Sequence, residues 1–237
     1  SDAMLSELWS EVSGRYPDFE SEETDARNEL LVRDFSGQLD TCTRAFHAMT
    51  QASLETRDIT LAALRRALTA LIVAFPVYRT YATEGASPGS DAPHLAQAVE
   101  AARAMSAPGE EGVVDLLAGW LSGIGNLDPQ ARGEAVARFQ QLTAPIAAKA
   151  VEDTAFYRYG RLLSRNDVGF DVAALAIGVD DFHEDSARAA ADYPAAMVTT
   201  ATHDHKRGED VRARLAVISA DPGGWGEAVS EWFERNR

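Results

Sequence analysis

Two stretches of the chain concentrate side chains able to do chemistry. The denser is Thr199-Thr200-Ala201-Thr202-His203-Asp204-His205-Lys206-Arg207-Gly208-Glu209-Asp210-Val211-Arg212-Ala213-Arg214. It follows Ala196–Thr202, a β-branched run bounded by Pro194 that reads as a strand, and it precedes a helical pattern. Charged residues just beyond a strand's C-terminal end are where α/β barrels place their catalytic groups. On residue types alone, a solvated loop whose charges satisfy one another is the more economical reading. The second stretch, Ala148-Lys149-Ala150-Val151-Glu152-Asp153-Thr154-Ala155-Phe156-Tyr157-Arg158-Tyr159, packs aromatic and charged groups into a few helical turns. Aromatic faces beside planar charged hydrogen-bonders suit a sugar ring. An amphipathic helix with an internal ion pair, such as Glu152 with Arg158 or Lys149, accounts for the same composition.

Generic catalytic signatures are absent. The chain has no GxxxxGK[ST], no GxGxxG after a strand, no HExxH and no GxSxG. His203-Asp204-His205 offers ligand atoms, but three adjacent residues cannot all face one ion without a turn, and His47 and His183 are distant in sequence. No metal site and no cofactor is expected.

The elements that must position these groups are helical. Leu31, Phe35, Leu39, Cys42, Phe46 and Met49 recur at steps of three and four, one face of a helix with Cys42 as a small core residue. A second helix is expected to start near Thr56 or Asp58, run through Leu61–Phe75, and stop at Pro76. Glu84–Pro93 reads as loop. Helical patterns resume around Leu95–Met105 and Val113–Leu121, and Asp128-Pro129 marks a cap with proline in the first turn. Pro145 is expected to kink or divide that helix. Further helices are predicted over about 151–164, 182–193 and 211–218, with a last one from Asp221-Pro222. The fold class is therefore all-α, mainly a helical bundle, with at most one or two short strands.

Composition narrows the partners. The 237 residues carry a formal charge of −15, of which −8 falls in residues 1–40. That surplus disfavours the phosphate backbone of nucleic acid as a partner. No apolar run reaches the roughly 18 residues of a membrane span. One cysteine excludes an intramolecular disulfide framework and fits a cytoplasmic setting. Residues 1–4 read as a cleavage scar ahead of a start methionine, with no secretory signal.

Three stretches, in order, carry a family resemblance. They are Phe75-Pro-Val-Tyr-Arg-Thr-Tyr81; Lys149–Tyr159 continuing into Leu162-Leu-Ser-Arg-Asn-Asp-Val-Gly169; and Thr202–Arg214. With them the chain from about Thr56 onward resembles the maltooligosyl trehalose synthases of the α-amylase superfamily. Two departures are Ala150, where the family usually has glycine, and His205, where it usually has threonine.

The resemblance implies an enzyme that rearranges the reducing-end α-1,4 link of a maltooligosaccharide into an α,α-1,1 link, with retention. It implies that this chain is part of a larger (β/α)8-barrel enzyme. Residues 5–195 would be a helical domain inserted in the barrel, and 196–237 a late barrel strand, the catalytic-acid loop and following helices. Asp204 would then be the third carboxylate, stabilising the transition state, with His203 its hydrogen-bonding neighbour on the sugar. Lys206, Arg207, Arg79, Tyr81, Lys149, Glu152, Asp153, Tyr157 and Arg158 would support it or contact substrate. The nucleophile and general acid would sit on other barrel strands, so the partners are the maltooligosaccharide and the rest of the barrel, and the chain alone would be inactive. Two other readings stay open at this point: a helical protein-interaction module, and a glucan hydrolase of the same superfamily.

Overall fold

A computed structural model describes residues 2–83, 89–125 and 128–236. Its packing divides the chain into two compact units, one formed by Glu23–Thr154 and the other by Ser1–Glu22 with Ala155–Arg237. All regular structure among the described residues is helical.

The unit 23–154 is a helical bundle. It holds most of α2 (Phe19–Arg33), then α3 (Ser36–Thr50), α4 (Leu61–Val73), α5 (Ala92–Met105), α6 (Glu111–Leu121) and α7 (Pro129–Ile146). α3 packs on α4 and α7, and α4 on α5 and α6. The apolar stripe from Leu31 to Met49 is shared between α2 and α3, because the amides of Asp34 and Phe35 both fold back onto Leu30 O and close α2. Leu39, Cys42 and Phe46 are completely buried with Leu64, Leu68, Leu71, Leu117 and Phe139. Phe46 stacks on Trp120 at 6.2 Å and Phe75 meets Phe139 edge-on at 5.2 Å.

Helix boundaries follow local chemistry. α4 begins at Leu61, later than Thr56 or Asp58, because extended Thr60 supplies the cap and accepts from Ala63 N at 3.1 Å. Residues 53–59 form turns before it. Asp128 caps α7 as expected, accepting from Ala131 N. Residues 84–88 of the expected loop lie outside the described residues, and its far end is taken over by a 3₁₀ turn at Gly89–Asp91 and by α5. Pro145 does not break the chain into separate helices. Its ring lacks an N–H and crowds the preceding turn, and two residues later the helix rewinds as a π-helix over Ala147–Ala155.

Arg132 fastens the bundle from inside. Its buried guanidinium donates to Trp120 O at 2.8 Å and Leu121 O at 2.9 Å, satisfying carbonyls at the end of α6, and to Thr83 O at 2.8 Å. Gly123, at φ +82, lets the chain turn tightly past it: a Cβ there would lie 3.2 Å from Arg132 Nη2.

The other unit contains α1 (Asp2–Ser13), α8 (Phe156–Arg158), α9 (Val179–Asp192), α10 (Glu209–Ala216) and α11 (Pro222–Arg235). Residues 2–4, set aside as a scar, are helical, and Asp2 accepts from Arg161 Nη1 at 2.5 Å. The core gathers around Tyr159, which meets Trp9 and Phe19 edge-on and donates its hydroxyl to Pro17 O at 2.9 Å. α9, α10 and α11 bury no residue completely. The strand expected at 196–202 is not formed among the described residues. A strand needs a neighbour for its amides and carbonyls, none is present there, and Met197 and Val198 stand 98% and 94% exposed.

Replacing Arg132 by Met should keep most of the packing volume but remove the guanidinium's hydrogen bonds to the carbonyls of Trp120, Leu121 and Thr83. A loss of roughly 2–4 kcal/mol of stability is expected in urea unfolding. A wild-type midpoint would show that these guanidinium bonds do not stabilise the bundle.

Candidate functional site

In the unit 23–154, five of the nominated residues are present: Arg79, Tyr81, Lys149, Glu152 and Asp153. The segment after α4 is pinned by backbone contacts. Gln140 of α7 donates to Ala82 O at 2.8 Å, and Tyr81 N donates to Asp91 Oδ2 at 2.8 Å. Arg79 serves this scaffold too. It donates to Thr80 O at 3.0 Å and Gln140 Oε1 at 3.3 Å, and its guanidinium lies 4.7 Å from the ring centre of Tyr81. The Tyr81 ring remains largely exposed.

Lys149, Glu152 and Asp153 all lie on the π-helix, a winding that is rare and recurs at functional sites. Thr154 Oγ1 donates to Lys149 O, five residues back, in step with that winding. Of the ion pairs expected through Glu152, the one with Lys149 is not what forms. Lys149 Nζ pairs instead with Asp153 Oδ2 at 2.6 Å, and Glu152 accepts a hydrogen bond from Tyr78 OH. Tyr78 belongs to the first family stretch, but sequence reasoning did not nominate it. Burial, the hydrogen bond to Glu152 and that carboxylate's charge push its phenol up to about 12.

The remaining nominated residues, Tyr157, Arg158, His203, Asp204, Lys206 and Arg207, belong to the other unit. Tyr157 is exposed and Arg158 half-buried on α8, the turn that continues the π-helix. Lys206 Nζ lies 5.7 Å from the ring centre of Tyr157, a cation–π contact that brings together two family stretches. Thr202–His205 is a turn closed twice, by His205 N donating to Thr202 O at 3.3 Å and by Thr202 N donating to His205 Nδ1 at 2.7 Å. His205 is therefore a part of the turn, its Nδ1 an acceptor. At the turn's tip Asp204 is 66% exposed, its Oδ2 3.2 Å from His203 Nε2.

Sequence reasoning also missed what supports this turn. Asp167 is fully buried, and its Oδ1 accepts from Lys206 N at 2.8 Å and from Val168 N at 2.9 Å. Its Oδ2 accepts from Arg207 N and Arg212 Nη1, each at 3.3 Å. Burial works against ionisation here, but the amides of Lys206, Val168 and Arg207 with the Arg212 guanidinium outweigh it and hold the carboxyl below the ordinary range. Arg207 donates from Nη1 to Asn166 O at 3.3 Å. Arg212 also donates to Arg207 O at 2.9 Å and to Thr200 O, and its guanidinium lies 5.5 Å from the ring centre of Phe170. A carboxylate inside a matched motif, two residues before a glycine, was the available signal; Gly169 sits at φ +79 in the structure.

Among the described residues, no three His, Cys, Asp or Glu side chains gather as metal ligands. No helix among them is long and apolar enough to cross a membrane.

With this geometry in place, the relatives can be set beside it. No family model matches the chain. Two curated Mycobacterium tuberculosis proteins, from two strains and both named as maltooligosyl trehalose synthase, are 46% identical over 97 residues, 41% of this chain and 13% of theirs. The solved maltooligosyltrehalose synthase from Arthrobacter ramosus superposes on 97% of the chain with a TM-score of 0.77 and 29% identity, using 27% of its own length. A Sulfolobus tokodaii structure bearing the synthase name shares the fold, with a TM-score of 0.64 at 22% identity over 98% of the chain and 27% of its own. The chain is thus similar to one helical portion of a much longer class of synthases. Those synthases are the maltooligosyl trehalose synthases, and the chain spans about a quarter of the length of the solved ones.

Replacing Glu152 by Gln should lower the Tyr78 phenol from about 12 toward 10 without reaching it, since burial, the largest cause, remains. Ultraviolet phenolate titration against a Tyr78→Phe reference reads this. An unchanged titration would show that Glu152 does not hold the hydroxyl.

Proposed function

We propose that the chain is part of a maltooligosyl trehalose synthase, in which the turn Thr202–His205 presents the third active-site carboxylate. What carries this reading is the convergence of two matched motifs: Lys206 of the His-Asp stretch lies against Tyr157 of the Lys149–Tyr159 stretch, next to an exposed Asp204. The likeness to the Arthrobacter ramosus synthase supports it across nearly the whole chain.

In this reading the parent is a (β/α)8-barrel of the α-amylase superfamily acting on maltooligosaccharides in the cytoplasm, without metal or cofactor. Residues 5–195 are a helical insertion and 196–237 contain a late barrel strand with the acid-bearing turn. The exposed Met197 and Val198 fit a strand whose partners belong to the parent barrel. A carboxylate nucleophile and a carboxylic acid on other barrel strands, about 5–5.5 Å apart, flank the reducing-end link. The acid protonates the departing O4 as the nucleophile bonds to C1. The 1-hydroxyl of the released glucose, deprotonated by the same acid's conjugate base, then attacks that C1 and forms the α,α-1,1 bond. Asp204 faces the positive charge that builds at C1 in both steps. His203 orients a sugar hydroxyl, and Tyr157 and Tyr81 offer ring faces for stacking. Lys206, Arg207, Arg79, Lys149, Glu152, Asp153 and Arg158 supply or hold hydrogen-bonding groups.

The test is product analysis with maltohexaose. A parent protein containing this chain should form maltooligosyl trehalose, while residues 1–237 alone should form none. Asp204→Asn in the parent should lower the rate by about 10³-fold or more, because an anion opposite a developing cation is removed. A near-wild-type rate would remove Asp204 from the reaction, and release of reducing sugar alone would make the parent a hydrolase.

A further inference from the structure

We propose that Asp167 is a positioning residue for the acid-bearing turn, setting the backbone from which Asp204 projects. The inference rests on the reading of Asp204 given above. Among the described residues, the Asp204 carboxylate meets only the exposed imidazole of His203, so its own side-chain contacts do not fix its place. A catalytic carboxylate has to be held to within a fraction of an ångström, and something beneath the turn must do this.

The buried carboxylate of Asp167 has the required reach. One of its oxygens takes the amide of Lys206 and the other that of Arg207, the two residues that begin two positions after Asp204. Two fixed amides leave that peptide plane little freedom, and the rigid path back to Asp204 is only two residues long. Arg212 closes the other side. It bonds the Asp167 carboxylate, the carbonyl of Arg207 after the turn and the carbonyl of Thr200 before it, so both ends of the turn are tied to one ion pair. Phe170, three residues beyond Asp167, gives Arg212 an aromatic face and makes a T-shaped contact with His205 at 6.5 Å between ring centres. Asp167→Asn keeps one acceptor oxygen but turns a donor NH₂ toward N–H groups that need an acceptor.

Two measurements separate the anchor from the reading of function. In residues 1–237, Asp167→Asn should raise amide hydrogen exchange at Lys206 and Arg207 roughly 10- to 100-fold, while amides of the bundle 23–154 exchange as before. In the parent, the same variant should lower kcat roughly 10- to 100-fold with KM nearly unchanged. Asp167→Glu, which keeps the anion, should recover part of both effects, which loss of fold alone would not give. Retained protection of the two amides in a folded Asp167→Asn protein would overturn the proposal, as would lost protection with an unaltered kcat. A wild-type parent that makes no trehalose product would overturn the function and the positioning role together, while the exchange result still shows whether Asp167 holds the turn.

Discussion

A carboxylate taken out of water must be surrounded by donors, or it neutralises or moves the chain until it is. Asp167 is such a group, and the surroundings that satisfy it are the amides of Lys206 and Arg207 and the guanidinium of Arg212. The constraint runs in both directions. The buried anion is tolerated because the turn comes to it, and the turn has one shape because the anion is there. Everything proposed for Asp204 depends on this, since Asp204 itself is an exposed residue on an otherwise solvated turn.

The two units use polar burial for similar ends. In the bundle, Arg132 satisfies the carbonyls that end α6, and Gln140 holds the segment leading to Tyr81. In the other unit, Asn166 bonds the carbonyls of Phe156 and Tyr159 beside the buried Asp167. These groups make rigid platforms for exposed aromatic and charged side chains. In the function proposed above, such surfaces, flat apolar faces edged by fixed hydrogen-bonding groups, suit a sugar ring.

Much of the helical architecture was legible because caps and apolar periodicity are local. Asp128-Pro129 and Asp221-Pro222 started helices where their side chains cap the first turn. Elsewhere a competing local choice won, as where Thr60 took the cap that Thr56 or Asp58 could have supplied. The π-helix was not legible, because a proline near the end of α7 announces a disturbance and not the winding that follows it. The strand at 196–202 had the right residue types, but pairing is a property of neighbours. At the site, the exposed members of each motif stood out by their chemistry. Asp167 and Tyr78 did not, because their importance comes from partners 39 and 74 residues away.

The most direct measurement is a crystal structure of a parent synthase containing this chain, with a maltooligosaccharide bound. The proposed mechanism expects the Asp204 carboxylate at the scissile link, facing the anomeric carbon without bonding to it, with Lys206 and Arg207 still bonded through their amides to Asp167. A saccharide bound elsewhere, with Asp204 turned to solvent and paired only with His203, would contradict it.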